Sequence, residues 1–367
     1  MLIFNFSIYL FQIYNLTNEF MIVSIIWATS WFGLWTAKFI KKKFPNTDVI
    51  VTWRNEEKWK KVANENDLKF TTNNIEAVKQ ADIIIFSVPI SNMEQTIKEL
   101  APYAKKWAIL SDVCSIKWFP SKAMKQYAPK WCLIIPTHPM FGPYVEDIAW
   151  QIFVLTVEEN ERNDKSYIFL KNFLQKEWAK VIETTAENHD KMMAVVQGLT
   201  HINMFTVWET IKRLSIPVEE TLNFVSPIYK LMISSVARYI WHDAGLYADI
   251  QMYNPKVLEV HNKFMEVIQD FNKTVQNKDK KWFAEIIDGT KEFFWPNMTS
   301  FWQKYTDKLV YFVTHQIKTI NESIWKNLTF KNIYSWEKVS WKVKILNNNI
   351  LEFEDGNKID INEYVIE

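Results

Sequence analysis

Ile22-Val23-Ser24-Ile25-Ile26-Trp27-Ala28-Thr29-Ser30-Trp31-Phe32-Gly33 runs from an apolar block through a short turn into a helical pattern. An apolar pentapeptide of this kind suits a strand covered on both faces. Ala28, Thr29, Ser30 and Gly33 are small enough to let a backbone come close to a bound group. A helix opening near 31–33 offers such a group free N–H donors and the positive end of its dipole. Two indoles, Trp27 and Trp31, stand in this turn where the backbone wants glycine. With glycine at both, the segment reads G-A-T-S-G-F-G, a strand–turn–helix loop that cradles the pyrophosphate of a dinucleotide.

Composition makes the same point. The chain has 6 Gly and 18 Trp in 367 residues, where ordinary usage of about 7% would give roughly 26 Gly. Trp53 falls just past a strand, and Trp107, Trp131 and Trp178 each follow Lys or Glu where a helix should end. Such positions ask for a positive φ that Trp supplies poorly. The sequence therefore predicts that most of these Trp codons are glycine codons translated with the wrong genetic code, UGA read as Trp in place of Gly.

Working outward, short apolar runs at 22–26, 48–52, 82–88, 108–112, 132–136 and 152–156 alternate with helical stretches at 33–43, 56–65, 91–103 and 162–177. This repetition predicts an α/β fold, a doubly wound, mostly parallel sheet of Rossmann type over residues 21–186. Residues 188–212 read as one long helix, and helices continue to about 318. Several are apolar on more than one face, which predicts an all-helical domain, 187–318, that packs against a second subunit. The tail, 319–367, alternates and carries an Asp355-Gly356 hairpin signal, so a small β appendage is expected. Residues 1–20 lack a basic start and a small-residue cleavage site, and Asn5 and Gln12 interrupt their apolar run. Neither a signal peptide nor a membrane span fits, and translation is expected to start at Met21.

Charge sets further bounds. With 43 basic and 42 acidic residues, net +1, no basic stripe suggests a nucleic-acid partner. Two cysteines, Cys114 and Cys132, suggest no disulfide framework and fit a reducing cytoplasm. No Cys/His/carboxylate cluster has metal-ligand spacing, so no metal is expected. His242, His261 and His315 lie on polar stretches and are expected to be solvated.

The end of the second strand should name the cofactor. An NAD site would show Asp or Glu there, whereas this chain has Thr52-Trp53-Arg54-Asn55. Arg54 offers a guanidinium to a 2′-phosphate, which favours NADP, with NAD still possible. Ser87-Val88-Pro89 follows another strand, at the edge where nicotinamide or adenine packs. The expected cofactor contacts are thus Trp27, Ala28, Thr29, Ser30, Trp31, Phe32, Gly33, Arg54, Ser87, Val88 and Pro89.

Three further blocks fall beyond strand ends or on the long helix: Asp112-Val113-Cys114-Ser115-Ile116-Lys117, His138-Pro139-Met140-Phe141-Gly142-Pro143, and His189-Asp190 with Gln197-Gly198-Leu199-Thr200-His201. With Ser226-Pro227-Ile228-Tyr229 and Leu246-Tyr247-Ala248-Asp249-Ile250-Gln251, they resemble the prephenate dehydrogenase family of tyrosine biosynthesis over about residues 21–310. In that resemblance Trp27, Trp107, Trp150, Trp178, Trp208 and Trp282 fall at family glycines, while Trp35 reads as an authentic Trp. It implies NADP-dependent oxidative decarboxylation of prephenate to 4-hydroxyphenylpyruvate. His138 matches the catalytic base and Ser115 the serine that aligns the ring hydroxyl. Arg238, His201, His189 and Lys117 match residues that hold substrate or brace its pocket. His189 and His201, twelve apart, would lie about 120° apart on an ideal helix, so both need not touch substrate. The rival readings are an arogenate or hydroxy-acid dehydrogenase of the same fold, and a non-catalytic nucleotide-binding dimer.

Overall fold

The computed structural model describes residues 21–28, 31–241, 243–294, 296–332, 335, 337–347, 350–361 and 363–366. The expectations for residues 1–20, Thr29, Ser30 and His242 fall outside these. β1 (Ile22–Ile26) lies at the centre of a six-stranded sheet, paired in parallel with β2 (Asp48–Thr52) on one side and β4 (Ile83–Phe86) on the other. Between them come α1 (Trp31–Lys43), α2 (Glu56–Glu65), β3 (Lys69–Thr71) and α3 (Asn74–Gln80). The sheet continues through α4 (Ile90–Leu100), β5 (Ile109–Asp112), α5 (Trp118–Tyr127) and β6 (Leu133–Ile134), giving the order β3-β2-β1-β4-β5-β6. Strand order reverses between β1 and β4, and a crevice at such a switch point is where open α/β sheets bind ligands. Apolar clusters bury both faces of these strands, as their near-continuous hydrophobicity requires. Ser24, the polar exception in β1, is buried and donates to the Ala77 carbonyl at 2.8 Å.

The run at 152–156 does not join that sheet. Pro136 follows β6 and has no N–H for a ladder bond, so the parallel pairing stops there. The chain instead forms β7 (Thr137–Pro139) and β8 (Ile152–Leu155), antiparallel to each other, with β9 (Lys180–Glu183) parallel to β8 after α6 (Lys165–Lys176). His138 is therefore on a strand rather than in a loop. An apolar cavity of about 310 Å³ is lined by β1, β4, β5, α1 and α6 residues and by Thr137 and Pro139. His138 lies between those two and, because strand side chains alternate, faces the other way.

The long helix expected at 188–212 is one continuous run, but not a uniform one. It consists of α7 (Ala186–Met193), a π-helical segment Ala194–Leu199, and α8 (Thr200–Arg213). Further helices follow: α9 (Val218–Thr221), α10 (Pro227–Trp241), α11 (Ala244–Tyr253), α12 (Val257–Asn277), α13 (Lys280–Phe293) and α14 (Pro296–Glu322). The tail folds as an antiparallel sheet of β10 (Asn327–Asn332), β11 (Lys338–Asn347), β12 (Ile350–Phe353), β13 (Lys358–Asp360) and β14 (Tyr364–Ile366), ordered β13-β12-β11-β10-β14 around Phe330, Val343, Leu351 and Phe353. Contacts divide the chain into two compact units. One takes residues to Leu214 together with Val236–Met265, and the other takes Ser215–Ser235 and Glu266–Glu367.

Five of the eight described non-glycine residues with positive φ are tryptophans: Trp27 (60°), Trp107 (70°), Trp150 (64°), Trp178 (62°) and Trp325 (67°). Trp178 shows why. The Trp178 and Ala179 N–H groups donate to the Gln175 and Leu174 carbonyls at 3.0 and 2.9 Å, the paired bonds of a Schellman helix end, whose left-handed residue is usually Gly. Trp107 is third in a turn closed by Ala108 N–H to Lys105 C=O, again a glycine position. Other Trp do not fit this pattern: Trp31 opens α1, Trp208 and Trp282 lie within helices, and Trp53 and Trp131 lack positive φ. Trp35 behaves as a built-in indole, stacked on Phe39 and donating its ring N–H to Val145 C=O at 2.9 Å.

Candidate active site

The β1–α1 turn ends the central strand at its C-terminal edge. Trp27 N–H donates to Thr52 Oγ1 at 3.0 Å and Ala28 N–H to the Thr52 carbonyl at 3.3 Å, tying the turn to the end of β2. Gly33 is obligatory. A Cβ there would lie 2.8 Å from both Ala28 Cα and Ser87 Oγ, so α1 approaches the ends of β1 and β4 only because this residue has no side chain. Such close helix–strand packing is the part the last glycine plays in a dinucleotide-binding turn. The Trp27 side chain does not help: its indole stacks under the Arg54 guanidinium, 4.5 Å from the ring centroid, and meets Trp53 edge-on. Phe32 packs inward against Trp35 and Phe141. Beyond β4, Val88 is buried in the core and Pro89 stands at the start of α4.

At the end of β5, Asp112 is completely buried and forms an ion pair with Lys117, also completely buried. Burial pushes the Asp112 carboxyl up, against the pull of Lys117. Asp112 Oδ1 also accepts from Cys114 N–H at 2.9 Å, so the pair shapes the 112–117 loop. Lys117 therefore braces that loop from inside, and Ser115 between them remains half-buried. The Cys114 thiol is pushed up to about 12 by burial, which makes it inert as a nucleophile.

His138 and His189 meet in the interior, with His138 Nδ1 2.8 Å from His189 Nε2. His189 Nδ1 lies 2.7 Å from Asp190 Oδ1. The same Asp190 carboxylate accepts from Lys117 N–H at 2.8 Å and Trp118 N–H at 2.9 Å, capping α5 from 72–73 residues away. Burial, then His189 and Lys117, hold the His138 imidazole well below the usual range. Burial likewise lowers His189, against Asp190. A neutral imidazole at ordinary pH can accept a proton.

His201 belongs to a second group. It packs against Tyr239 and Tyr247, with ring centroids 5.1 and 4.9 Å away. Burial drops it to about 4 and lifts Tyr247 to about 12. Exposed Arg238 lies 5.6 Å from the centre of the Tyr144 ring, close to Tyr247. His201 Nδ1 and Gln197 Oε1 are buried without a hydrogen-bond partner among the described residues, and buried polar atoms of this kind call for a partner. The π-helical segment lies between His189 and His201, so the angle drawn from an ideal helix does not apply. Of the other histidines, His315 is exposed, whereas His261 is half-buried and within 2.9 Å of Gln251 Oε1. The expectation that His261 is solvated is thus corrected, because α11 supplies it with a partner. Sequence reading passed over Asp112, Asp190, Tyr239 and Tyr247 as site residues. The Asp–Lys spacing in the first block and the His-Asp dipeptide were the available signals for two of them.

A switch-point crevice edged by a glycine-packed strand–turn–helix, beside a buried histidine on β7 and two more on the following helices, fits the class of nicotinamide-nucleotide-dependent oxidoreductases. The models of the prephenate dehydrogenase nucleotide-binding domain and the prephenate dehydrogenase dimerization domain match residues 36–183 and 185–289. The chain is 41% identical over 318 residues to a probable arogenate/prephenate dehydrogenase of Methanocaldococcus jannaschii, covering 87% of this chain and 71% of that one. It is 29% identical to the T-protein of Haemophilus influenzae over 58% of this chain and 55% of the T-protein. The fold matches prephenate dehydrogenase from A. aeolicus, solved with hydroxyphenyl propionate and NAD+, at TM-score 0.61 and 18% identity over 74% of this chain and 96% of that one. Synechocystis arogenate dehydrogenase matches at 0.57 and 16%, over 74% and 98%. The chain belongs to the prephenate dehydrogenase family. It is an oxidoreductase of the prephenate/arogenate type, not a nucleotide-binding scaffold. No helix among the described residues is long and apolar enough to cross a membrane.

Proposed function

We propose that the chain oxidatively decarboxylates prephenate to 4-hydroxyphenylpyruvate with NADP. The observation that carries this reading is the buried, neutral His138 imidazole, whose Nδ1 is engaged by His189 and whose Nε2 is left for a substrate hydroxyl. A nicotinamide held at this crevice would supply the hydride acceptor for the carbinol carbon. His138 takes the hydroxyl proton, and Ser115 aligns that hydroxyl. The dienone so formed loses CO₂ and becomes aromatic, so the protein mainly supplies orientation and one proton acceptor. Prephenate is a dianion, and Arg238 meets a carboxylate that would otherwise be costly to desolvate. His201 supports the same pocket. The turn at 27–33 would hold the pyrophosphate, with Arg54 on the 2′-phosphate once glycine at 27 removes the indole beneath it.

Leu258, Val275 and Phe293 on α12 and α13 are 70%, 65% and 85% exposed, and apolar helix faces of this kind suit a homodimer. Incubating the Trp27→Gly/Trp31→Gly protein with NADP or NAD and each acid, while recording reduced cofactor and CO₂, tests the reading. Turnover of arogenate alone would move the assignment to the arogenate enzyme. Hydride transfer without CO₂ would point to a hydroxy-acid substrate. No turnover on any of these would end the proposal.

A further inference from the structure

Asp190 has no place in the proposed chemistry, yet its carboxylate fixes which nitrogen of His138 carries a proton. A carboxylate only accepts hydrogen bonds, so at 2.7 Å from Asp190 Oδ1 the Nδ1 of neutral His189 must carry the hydrogen. His189 Nε2 is then a lone pair. The 2.8 Å contact with His138 Nδ1 requires that Nδ1 to be the donor. One nitrogen of His138 remains, Nε2, and it holds a lone pair. We propose that Asp190 and His189 are positioning residues that impose the Nε2-basic tautomer on His138.

Two features hold this direction in place. Asp190 cannot turn away, because Lys117 N–H and Trp118 N–H at the start of α5 occupy its oxygens. The other buried carboxylate among the described residues, Asp112, is paired with Lys117, whereas Asp190 is hydrogen-bonded to the line of imidazoles directly. When His138 Nε2 takes the substrate proton, the imidazolium forms with its Nδ1–H directed to His189, and through it to a carboxylate. Accepting that proton takes the buried group from the single negative charge of Asp190 to net neutrality, so no uncompensated cation is created in the interior. His138, His189 and Asp190 are 3%, 1% and 1% exposed, so water does not screen the arrangement.

The inference rests on His138 as the base, and its tests separate the two ideas. All variants are made in the Trp27→Gly/Trp31→Gly protein. In Asp190→Asn an amide NH₂ can face His189 Nδ1 and reverse both tautomers. The expected result is a 10²–10³-fold fall in kcat, with KM for prephenate and Kd for the cofactor within threefold of the parent. In a His138→Asn background the same change should cost less than threefold more, because a positioning residue is silent once its base is gone. A merely structural Asp190 would give losses that multiply.

The His189 pair leaves the α5 cap intact and covers the case in which Asp190→Asn does not fold. His189→Gln can accept from His138 with its carbonyl oxygen while its NH₂ donates to Asp190, and should keep kcat within tenfold. His189→Leu should lose at least 100-fold. If His138→Asn loses 10²-fold or more while His189→Leu stays within threefold, the positioning proposal is overturned and the base stands. If His138→Asn itself turns over normally, the base assignment falls.

Discussion

Trp178 ends α6 with the hydrogen bonds of a glycine-closed helix and an indole that is 69% exposed. A left-handed backbone costs a residue with a Cβ about 1–2 kcal/mol, and the ring this indole meets is Trp150, itself at positive φ. Peptide mass spectrometry of native material is expected to read glycine at 27, 107, 150, 178 and 325, and the gene to read TGA at those codons. Native peptides carrying Trp there would sink the idea. In the recombinant chain, Trp178→Gly and Trp107→Gly should each raise stability by about 1 kcal/mol, measured as a higher urea midpoint at constant m. Trp35, with its ring N–H bonded, should lose stability on the same change. His138 adds a second residue-scale expectation. Since kcat/KM reports the free enzyme's base and burial holds this imidazole low, the acidic limb should lie below pH 6.5 and vanish in His138→Asn.

Among the elements, the five parallel strands with long apolar runs were legible because burial on both faces leaves no polar alternation. β7 was not, since Thr-His-Pro has neither length nor pattern and pairs only because Pro136 ends the parallel sheet. The π-helical segment at Ala194–Leu199 was equally hidden. No local signal separates it from α-helix, and Gly198 within it lies where a Cβ would come 2.8 Å from Val257 Cγ2. The sequence signals for the candidate site came from residue types with few bland uses, such as His138, which the structure buries against His189. The His-Asp dipeptide flagged Asp190, but its capping of α5 from 72–73 residues away left no local signal. The β1–α1 turn and the end of β2 act as one element through the Thr52 bonds. Arg54→Asp should therefore lower kcat/KM for NADP by tenfold or more while NAD changes less. An unchanged NADP/NAD ratio would remove Arg54 from cofactor choice.

For the molecule as a whole, the buried histidines link stability to acidity. His201 falls from 6.5 to about 4 on folding, so below pH 6.5 the unfolded chain binds more protons and stability declines as pH drops. At pH 5 this one group costs about 2 kcal/mol. His201→Phe should flatten the drop in urea midpoint between pH 7 and pH 5 by that amount, and an unchanged slope would place the linkage elsewhere. Association should also be visible at this scale. Leu258→Glu is expected to shift sedimentation from dimer toward monomer at micromolar concentration, and no shift would clear that face of the interface.

Trp27 follows β1 immediately, and every other strand of the six-stranded sheet comes after it. If its codon is TGA, a cell that reads TGA as a stop makes β1 and nothing that pairs with it. The gene could then cross into such a lineage as DNA but not as an enzyme. The left-handed turn at the cofactor loop would thus confine its inheritance to cells sharing its code.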